Sequence, residues 1–270
     1  PLCVAISQGA EYATSRVPAS AFSAALNSVW FRAENILPSG FAFIYVMSSV
    51  HHYNSVARSA PVECRAMRTA HNKCKWLLIQ RALQVLQMPL DQCAVLDLAC
   101  GRGGDLNKLR GCRLYTGIDT AGEALQELRR RAGEIDMAVS TQEGDASAFI
   151  AAPCELALCN FAVHYFCDTE AHCAALLDVV AACLTVGGVF CGTYERVCGS
   201  VPWGVRHHAV VGDCVDAIEW RVPWDKLCRM ALARGLALVS TVPFYTLEQE
   251  SDTNIYGFMF QQAQGRYCGS

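Results

Sequence analysis

Apolar and polar positions along the chain alternate between two periods. Over residues 63–86 the apolar side chains Met67, Cys74, Leu77, Leu78, Ala82, Leu83, Val85 and Leu86 recur at helical spacing and predict one long helix. Pro89 closes it. A short apolar run then follows, with Val95, Leu96, Leu98 and Ala99, as a parallel strand covered on both faces requires. LNKLRGC is a short helix stopped by Gly111, 113–118 a second strand ending in Asp119, and 122–133 a basic-tailed helix. Residues 137–146 predict a third strand reaching Asp145, and CELALCNFAVHY a fourth strand with its loop. A helix over 169–184 has Gly187 and Gly188 as its stop. A fifth strand follows at 189–194, then a helix over 224–233 and two final strands, LALVSTV and IYGFMFQ.

Strands alternating with helices in this way predict an α/β domain over 48–270 with a mostly parallel sheet. Residues 1–47 are an N-terminal extension with no assignable chemistry, in which AFSAALNSVWF reads as a short helix and 40–47 as a strand. The chain begins with proline, which suggests a piece of a longer polypeptide.

Composition narrows the class. A length of 270 residues suffices for one large core. No apolar run reaches the ~18 residues of a membrane span, and no signal-peptide pattern is present, so the expectation is an intracellular protein with no membrane partner. The sixteen cysteines are scattered through apolar positions with no C-x-x-C pair. That argues for small buried hydrophobes and against a disulfide scaffold or a metal site. A net charge of −3 lacks the basic excess of a protein that tracks along nucleic acid, so any RNA contact is local.

The chemistry concentrates at AVLDLACGRGGD, residues 94–105, where a strand runs into a turn containing Gly101, Gly103 and Gly104. Bare backbone there admits a nucleotide-like ligand. Asp119, about twenty residues on at the end of the next strand, suits the two hydroxyls of a ribose. A dinucleotide fingerprint would place glycine where Leu106 stands, and Asp97 lies inside the first strand. The pattern resembles motif I of class I S-adenosylmethionine-dependent methyltransferases. That resemblance implies a Rossmann-like fold, with a seven-stranded, mostly parallel sheet, helices on both faces and an antiparallel C-terminal hairpin. The cofactor carries an ammonium and a carboxylate and no pyrophosphate, which suits Asp97.

Further blocks resemble the mRNA cap guanine-N7 methyltransferases of the cellular and large-DNA-virus type. Against the family's V-x-x-H-Y-N, N-N-W-x-K-x-x-L-I and L-D-L-A-C-G-K-G-G-D-L, the chain has Val50-His51-His52-Tyr53-Asn54, Asn72-Lys73-Cys74-Lys75 with Leu78-Ile79, and Leu96 to Leu106 with Arg102 for lysine. Asn160-Phe161-Ala162-Val163-His164-Tyr165 matches Q-F-x-x-H-Y, and Val186 to Thr193 matches P-G-G-x-F-x-G-T. Glu219 to Trp224 matches E-Y-L-V-P-F, and Ile255 to Phe260 matches L-Y-K-V-F-V-F. The departures are Lys73, Trp76, Arg102, Ala146 and Asn160.

The resemblance implies that Lys75, Asp97, Ala99, Gly101 and Asp105 hold the methionine end of S-adenosylmethionine, whose product is S-adenosylhomocysteine. It places Asp119 and Thr120 on the ribose and Asp145 and Ala146 on the adenine, with Asn160, Phe161 and Tyr165 closing the pocket. For the cap it implies Asn72, His164, Tyr165, Glu219 and Tyr256 around the guanine, and Arg102 with Arg131 on the triphosphate. Arg131 also ends a run of three arginines at a helix C-terminus, where a solvated, dipole-compensating role is common. No acid or base is implied, because guanine N7 already carries a free lone pair. The implied partner is the GpppN end of mRNA, with an RNA triphosphatase or guanylyltransferase in trans or in the same polypeptide. The implied location is the nucleus for a cellular protein, and the cytoplasm or virion for a viral one. Two other readings stay open: methylation of another nucleic acid or small molecule, and an inactive donor-binding subunit of a capping assembly. The absence of N-P-P-Y or D-P-P-Y after the fourth strand argues against methylation of exocyclic amines.

Overall fold

Strand β1 (Ala94–Leu98) is buried at all five positions, with Ala94, Leu96 and Leu98 facing one core and Val95 the other. That two-sided burial places it inside the sheet. The computed structural model describes residues 62–149, 152–211, 215–248 and 254–263. The 1–47 extension, with its expected helix and 40–47 strand, and the Val50 to Asn54 block lie outside the described residues.

The other strands are β2 (Leu114–Asp119), β3 (Ser140–Glu143), β4 (Cys154–Cys159), β5 (Leu184–Glu195), β6 (Arg206–Val211), β7 (Val215–Trp220), β8 (Leu236–Pro243) and β9 (Ile255–Gln262). Seven of the nine form one sheet in the order β3-β2-β1-β4-β5-β9-β8. Its first five strands run parallel, and β9 lies antiparallel between β5 and β8, as the C-terminal pattern predicts. Strands β6 and β7 form a separate antiparallel pair.

Helix α1 (Val62–Leu86) buries Ala70, Cys74, Leu78, Ile79 and Ala82, a stripe recurring every four residues. Fully burying Leu78 and Ile79 contributes roughly 1.5–3 kcal/mol each, which fixes the helix to the sheet. After it come α2 (Leu106–Leu109), α3 (Gly122–Glu134), α4 (Glu170–Cys183), α5 (Trp224–Leu232) and α6 (Phe244–Leu247). Helices α1 and α3 share one core, with Leu125, Leu128 and Ala132 of α3 facing it. Helices α4 and α5 cover the opposite face through Leu176, Leu177, Val180, Leu227 and Ala231.

Two expectations are corrected, and one element was not expected. The third strand ends at Glu143, and Asp145 instead heads a 3-10 turn, Ala146–Ala148, because its carboxylate accepts the Ser147 N–H at 2.8 Å. Gly187 and Gly188 do not stop a helix: α4 ends at Cys183 and both glycines lie within β5. The pairing slips there, from Cys154 opposite Leu184 to Leu156 opposite Val189, and Gly187 at φ +80° accommodates the bulge. The β6–β7 hairpin was not expected at all. The cysteines behave as the composition suggests: among the described residues twelve are free thiols and nine of those are buried.

Candidate functional site

The crevice outside the carboxyl ends of β1 and β4 is where strand order reverses, the place at which open α/β sheets take ligands. Both strands end in a left-handed turn made without glycine, Ala99 at φ +56° and Phe161 at φ +55°. Each such residue costs on the order of 1–3 kcal/mol, and such strain gathers at sites of function. The Phe161 turn is held by its N–H donating to Thr193 Oγ1 of β5 at 2.7 Å. After Ala99 the backbone continues left-handed through Gly101 and Gly103, and a Cβ built on Gly101 would meet nothing within 4 Å. Open space therefore lies over that turn.

Asp105 is the hub of this crevice. Its side chain is only 8% exposed and takes Lys75 Nζ at 2.7 Å and Lys108 Nζ at 2.8 Å on one oxygen, and Asn160 Nδ2 at 3.0 Å on the other. Burial alone would raise its pKa, but the two ammonium groups outweigh that and hold it below the usual range. Asn72 accepts from Lys108 at 2.9 Å, so this expected cap residue sits at the edge of the same cluster. Asn160 Oδ1 is buried with no partner, and the Phe161 ring lies 5.8 Å from Lys75 Nζ.

Asp97 lies deeper, 3% exposed, accepting from the Tyr115 hydroxyl at 2.8 Å. Burial, with the nearby charge of Asp105, pushes its pKa up to about 7 against the opposing Tyr115 hydrogen bond. Asp119 ends β2 and uses one oxygen on the Gly101 N–H at 2.7 Å and the other on the Ala121 N–H at 2.8 Å. It thus braces the glycine turn while staying partly exposed beside exposed Thr120. Burial raises its pKa, partly countered by those backbone donors.

Asp145 heads the turn after β3, next to Gly144, whose N–H donates to the Asp119 carbonyl at 3.0 Å; it is followed by buried Ala146, and its own side chain is 46% exposed. His172 of α4 lies between two carboxylates, with Nδ1 2.6 Å from Asp168 Oδ1 and Nε2 3.3 Å from Asp145 Oδ2.

A second group of polar side chains meets at Glu219 on β7. His164 and Tyr165 lie on a 3-10 turn, Val163–Phe166, a few residues after Asn160 and Phe161. Glu219 Oε1 is 3.4 Å from His164 Nε2 and accepts from the Tyr165 hydroxyl at 3.4 Å. His207, paired with Glu219 in the β6–β7 register, places Nε2 3.9 Å from Glu219 Oε2 and 3.3 Å from Glu195 Oε2. Arg221 closes the cluster against Glu195. Burial would raise the Glu219 carboxyl, yet His164, His207 and Tyr165 bring it below the usual range.

Beyond the Glu195–Arg221 pair an open cavity of about 720 Å³ is lined by Arg196, Trp224, Lys226 and Tyr256 among others. Tyr256 carries Arg196 over its ring at 5.1 Å and packs on Tyr194 at 5.9 Å, so it belongs to the cavity side of the cluster. Arg131 donates to the Arg102 carbonyl at 2.9 Å, and its Nε lies 3.6 Å from Glu127. Both expected triphosphate residues therefore meet at the glycine turn.

Sequence reasoning missed Lys108, Tyr115, His172, His207, Glu195 and Arg221. Lys108 stands one helical turn after Asp105, a spacing that marks an ion pair. Tyr115 and Asp97 become neighbours only through the parallel β1–β2 register, in which Val95 faces Tyr115. His207 needed the unforeseen hairpin. Among the described residues no group of three or more His, Cys, Asp or Glu could hold a metal ion, and no helix is long and apolar enough to cross a membrane.

This crevice fits S-adenosylmethionine: an ammonium, Lys75, for its carboxylate, acidic groups for its ammonium and ribose, and an orphaned amide oxygen on Asn160. The fold is that of class I S-adenosylmethionine-dependent methyltransferases. A methyltransferase of this kind from Clostridium acetobutylicum superposes with a TM-score of 0.57 at 13% identity, over 82% of this chain and 100% of that one. The N-methyltransferase NodS from Bradyrhizobium japonicum, solved with S-adenosylhomocysteine, gives 0.57 at 15% identity over the same shares.

Residues 46–198 match the mRNA (guanine-N(7))-methyltransferase domain, and the chain belongs to that family. It is 30% identical over 209 residues to mRNA cap guanine-N(7) methyltransferase 1 of Arabidopsis thaliana, covering 58% of this chain and 56% of that one. The mRNA cap guanine-N(7) methyltransferase of Saccharomyces cerevisiae is 27% identical over 233 residues, with 66% and 52% covered. The chain thus spans about half the length of the curated relatives it matches.

Proposed function

We propose that this chain transfers the methyl group of S-adenosylmethionine to N7 of the terminal guanine of a GpppN mRNA cap. The observation that carries the reading is the meeting of Glu219 on β7 with His164 and Tyr165, which lie on the loop that also supplies Asn160 and Phe161 to the donor crevice. A half-buried, ionised carboxylate beside aromatic rings suits the paired N1–H and N2–H donors of guanine, and leaves N7 free. His164 and Tyr165, with ring centroids 4.1 Å apart, form a wall for the purine.

When bound, the cofactor supplies a methyl group already activated by the sulfonium. The protein then needs no general base, because N7 is unprotonated and nucleophilic as it stands. What the chain contributes is orientation: Asp105 and Lys75 fix one end of the donor and Glu219 the guanine edge. Such alignment supplies up to ~7–11 kcal/mol of rate acceleration. Arg102 and Arg131 offer cations for the cap triphosphate. An RNA triphosphatase and a guanylyltransferase, in trans or in the same polypeptide, supply the substrate.

The test is transfer of labelled methyl to GpppA-capped RNA, with uncapped RNA and GpppA dinucleotide alongside, followed by digestion to nucleosides. Label in 7-methylguanosine is the expected result. Donor binding without that product on any capped substrate overturns the reading.

A further inference from the structure

His172 lies outside every motif discussed so far, yet it joins the two halves of the site. Thr169 caps α4 by accepting the His172 N–H at 3.1 Å, and Asp168 Oδ1 accepts the Thr169 N–H at 2.8 Å as well as meeting His172 Nδ1 at 2.6 Å. The cap thereby fixes the imidazole. Its remaining nitrogen faces Asp145 Oδ2 at 3.3 Å, without the alignment of a full hydrogen bond, and its ring edge meets Phe166 at 5.1 Å. The charged groups facing it are Asp168 on its own turn and Asp145 on the turn after β3; Phe166, next to Tyr165, covers another side.

We propose that His172 is a positioning residue for the adenine end of the donor: as an imidazolium bridging Asp168 and Asp145, it sets the carboxylate of Asp145 against the crevice. A neutral imidazole can donate from only one nitrogen, so two facing carboxylates call for the doubly protonated ring. Burial alone would favour the neutral ring, but the two carboxylates outweigh it and raise its pKa to about 9. Asp145 responds in the opposite direction. Burial would raise it, but His172 and the Ser147 N–H bring it down to about 2, so it is a pure acceptor at neutral pH. Oδ1 takes the Ser147 N–H and Oδ2 faces His172, while nearly half the side chain stays open. That open portion suits the exocyclic amine of an adenine. The bridge also ties that end of the donor to the turn carrying His164 and Tyr165, through Phe166.

The inference rests on S-adenosyl donor binding in this crevice and is independent of which acceptor is methylated. It is tested by binding alone, with the full chain and two ligands: S-adenosylhomocysteine and its inosine counterpart, which lacks the exocyclic amine. The wild type should prefer the adenine ligand, and His172→Gln should lose roughly tenfold in affinity for it while scarcely changing for the inosine ligand. In an Asp145→Asn background, His172→Gln should then add no further loss. Equal weakening toward both ligands would show a merely structural role, and unchanged binding of both would show no role; either overturns the proposal. Should His172→Gln fail to fold, Asp168→Asn removes the same bridge from its other end and is read by the same ratio of affinities. Failure of the cap reading would leave that ratio unaffected.

Discussion

Burial pushes the pKa of both Asp97 and Asp105 upward, but they end on opposite sides of the usual value: the ammonium groups of Lys75 and Lys108 overcome the rise at Asp105, while the Tyr115 hydrogen bond does not overcome burial and the charge of Asp105 at Asp97. Asp97 binds a proton more tightly folded than unfolded, since its pKa rises from 3.8 to about 7. The stabilisation from that proton is fully present below pH ~4 and is lost as pH rises through about 7. Asp97→Asn should therefore stabilise the unliganded protein at pH 8, by on the order of 2 kcal/mol, and much less at pH 5, while weakening S-adenosylhomocysteine binding. Thermal melts at the two pH values check the sign. Asp105 is the converse. With its pKa below the usual range, its contribution is present above pH ~4 and lost only in stronger acid. Asp105→Asn leaves Lys75 and Lys108 together without their counter-ion and should destabilise by about 3 kcal/mol at pH 7. Glu219→Gln probes the cap: kcat/KM for capped RNA should fall about a hundredfold with donor affinity within twofold. A matching loss in donor binding would separate Glu219 from the guanine. The acidic residues were readable because the motifs fix their spacing from the glycine turn and from one another. Their partners Tyr115 and Lys108 were not, because a motif records neither the register of a neighbouring strand nor the rotamer of a lysine.

The elements that position the site depend on close backbone approach more than on propensity. Gly192 is the sharpest case: a Cβ there would lie 2.1 Å from the Cys159 carbonyl oxygen and 2.8 Å from the Phe258 ring. The obstacle is the backbone of the adjacent strand, which cannot yield without breaking the β4–β5 ladder just before Asn160. Gly192→Ala should lower Tm by about 5–10 °C and weaken donor binding with it. An unchanged melt would mean the two strands separate there at little cost. Repeated apolar runs made β1, β2, β4 and the last hairpin legible, and β1, buried at every position, left little alternative. The β6–β7 hairpin was missed because RHHAVV and VDAIEW pair with each other away from the main sheet, so neither shows a continuous buried run. Gly187 and Gly188 misled for a physical reason too: glycine serves a β-bulge as readily as a helix stop, and only the β4 register tells them apart.

At the scale of the molecule, the proposed capped-RNA substrate is polyanionic, and a chain of net charge −3 would meet it through a few local cations. Arg102 and Arg131 meet at the glycine turn, with Arg131 anchored on the Arg102 carbonyl. If those two carry the triphosphate, neutralising two phosphate charges gives a slope of log affinity against log salt of about −1.4, taking ~0.7 per phosphate for a single strand. The slope should stay there as the RNA is lengthened past the cap, because the −3 chain does not attract the body of the transcript. Replacing both arginines by alanine should flatten it towards zero while donor binding holds. A slope of about −3 or steeper that grows with RNA length would instead bring in the cavity beyond Tyr256, where Arg196 and Lys226 stand beside Trp224 and Tyr256. Aromatic faces next to cations are what single-stranded RNA uses. The salt dependence therefore separates a protein that reads only the cap from one that also grips the strand behind it, on the same preparation and with one series of transcripts.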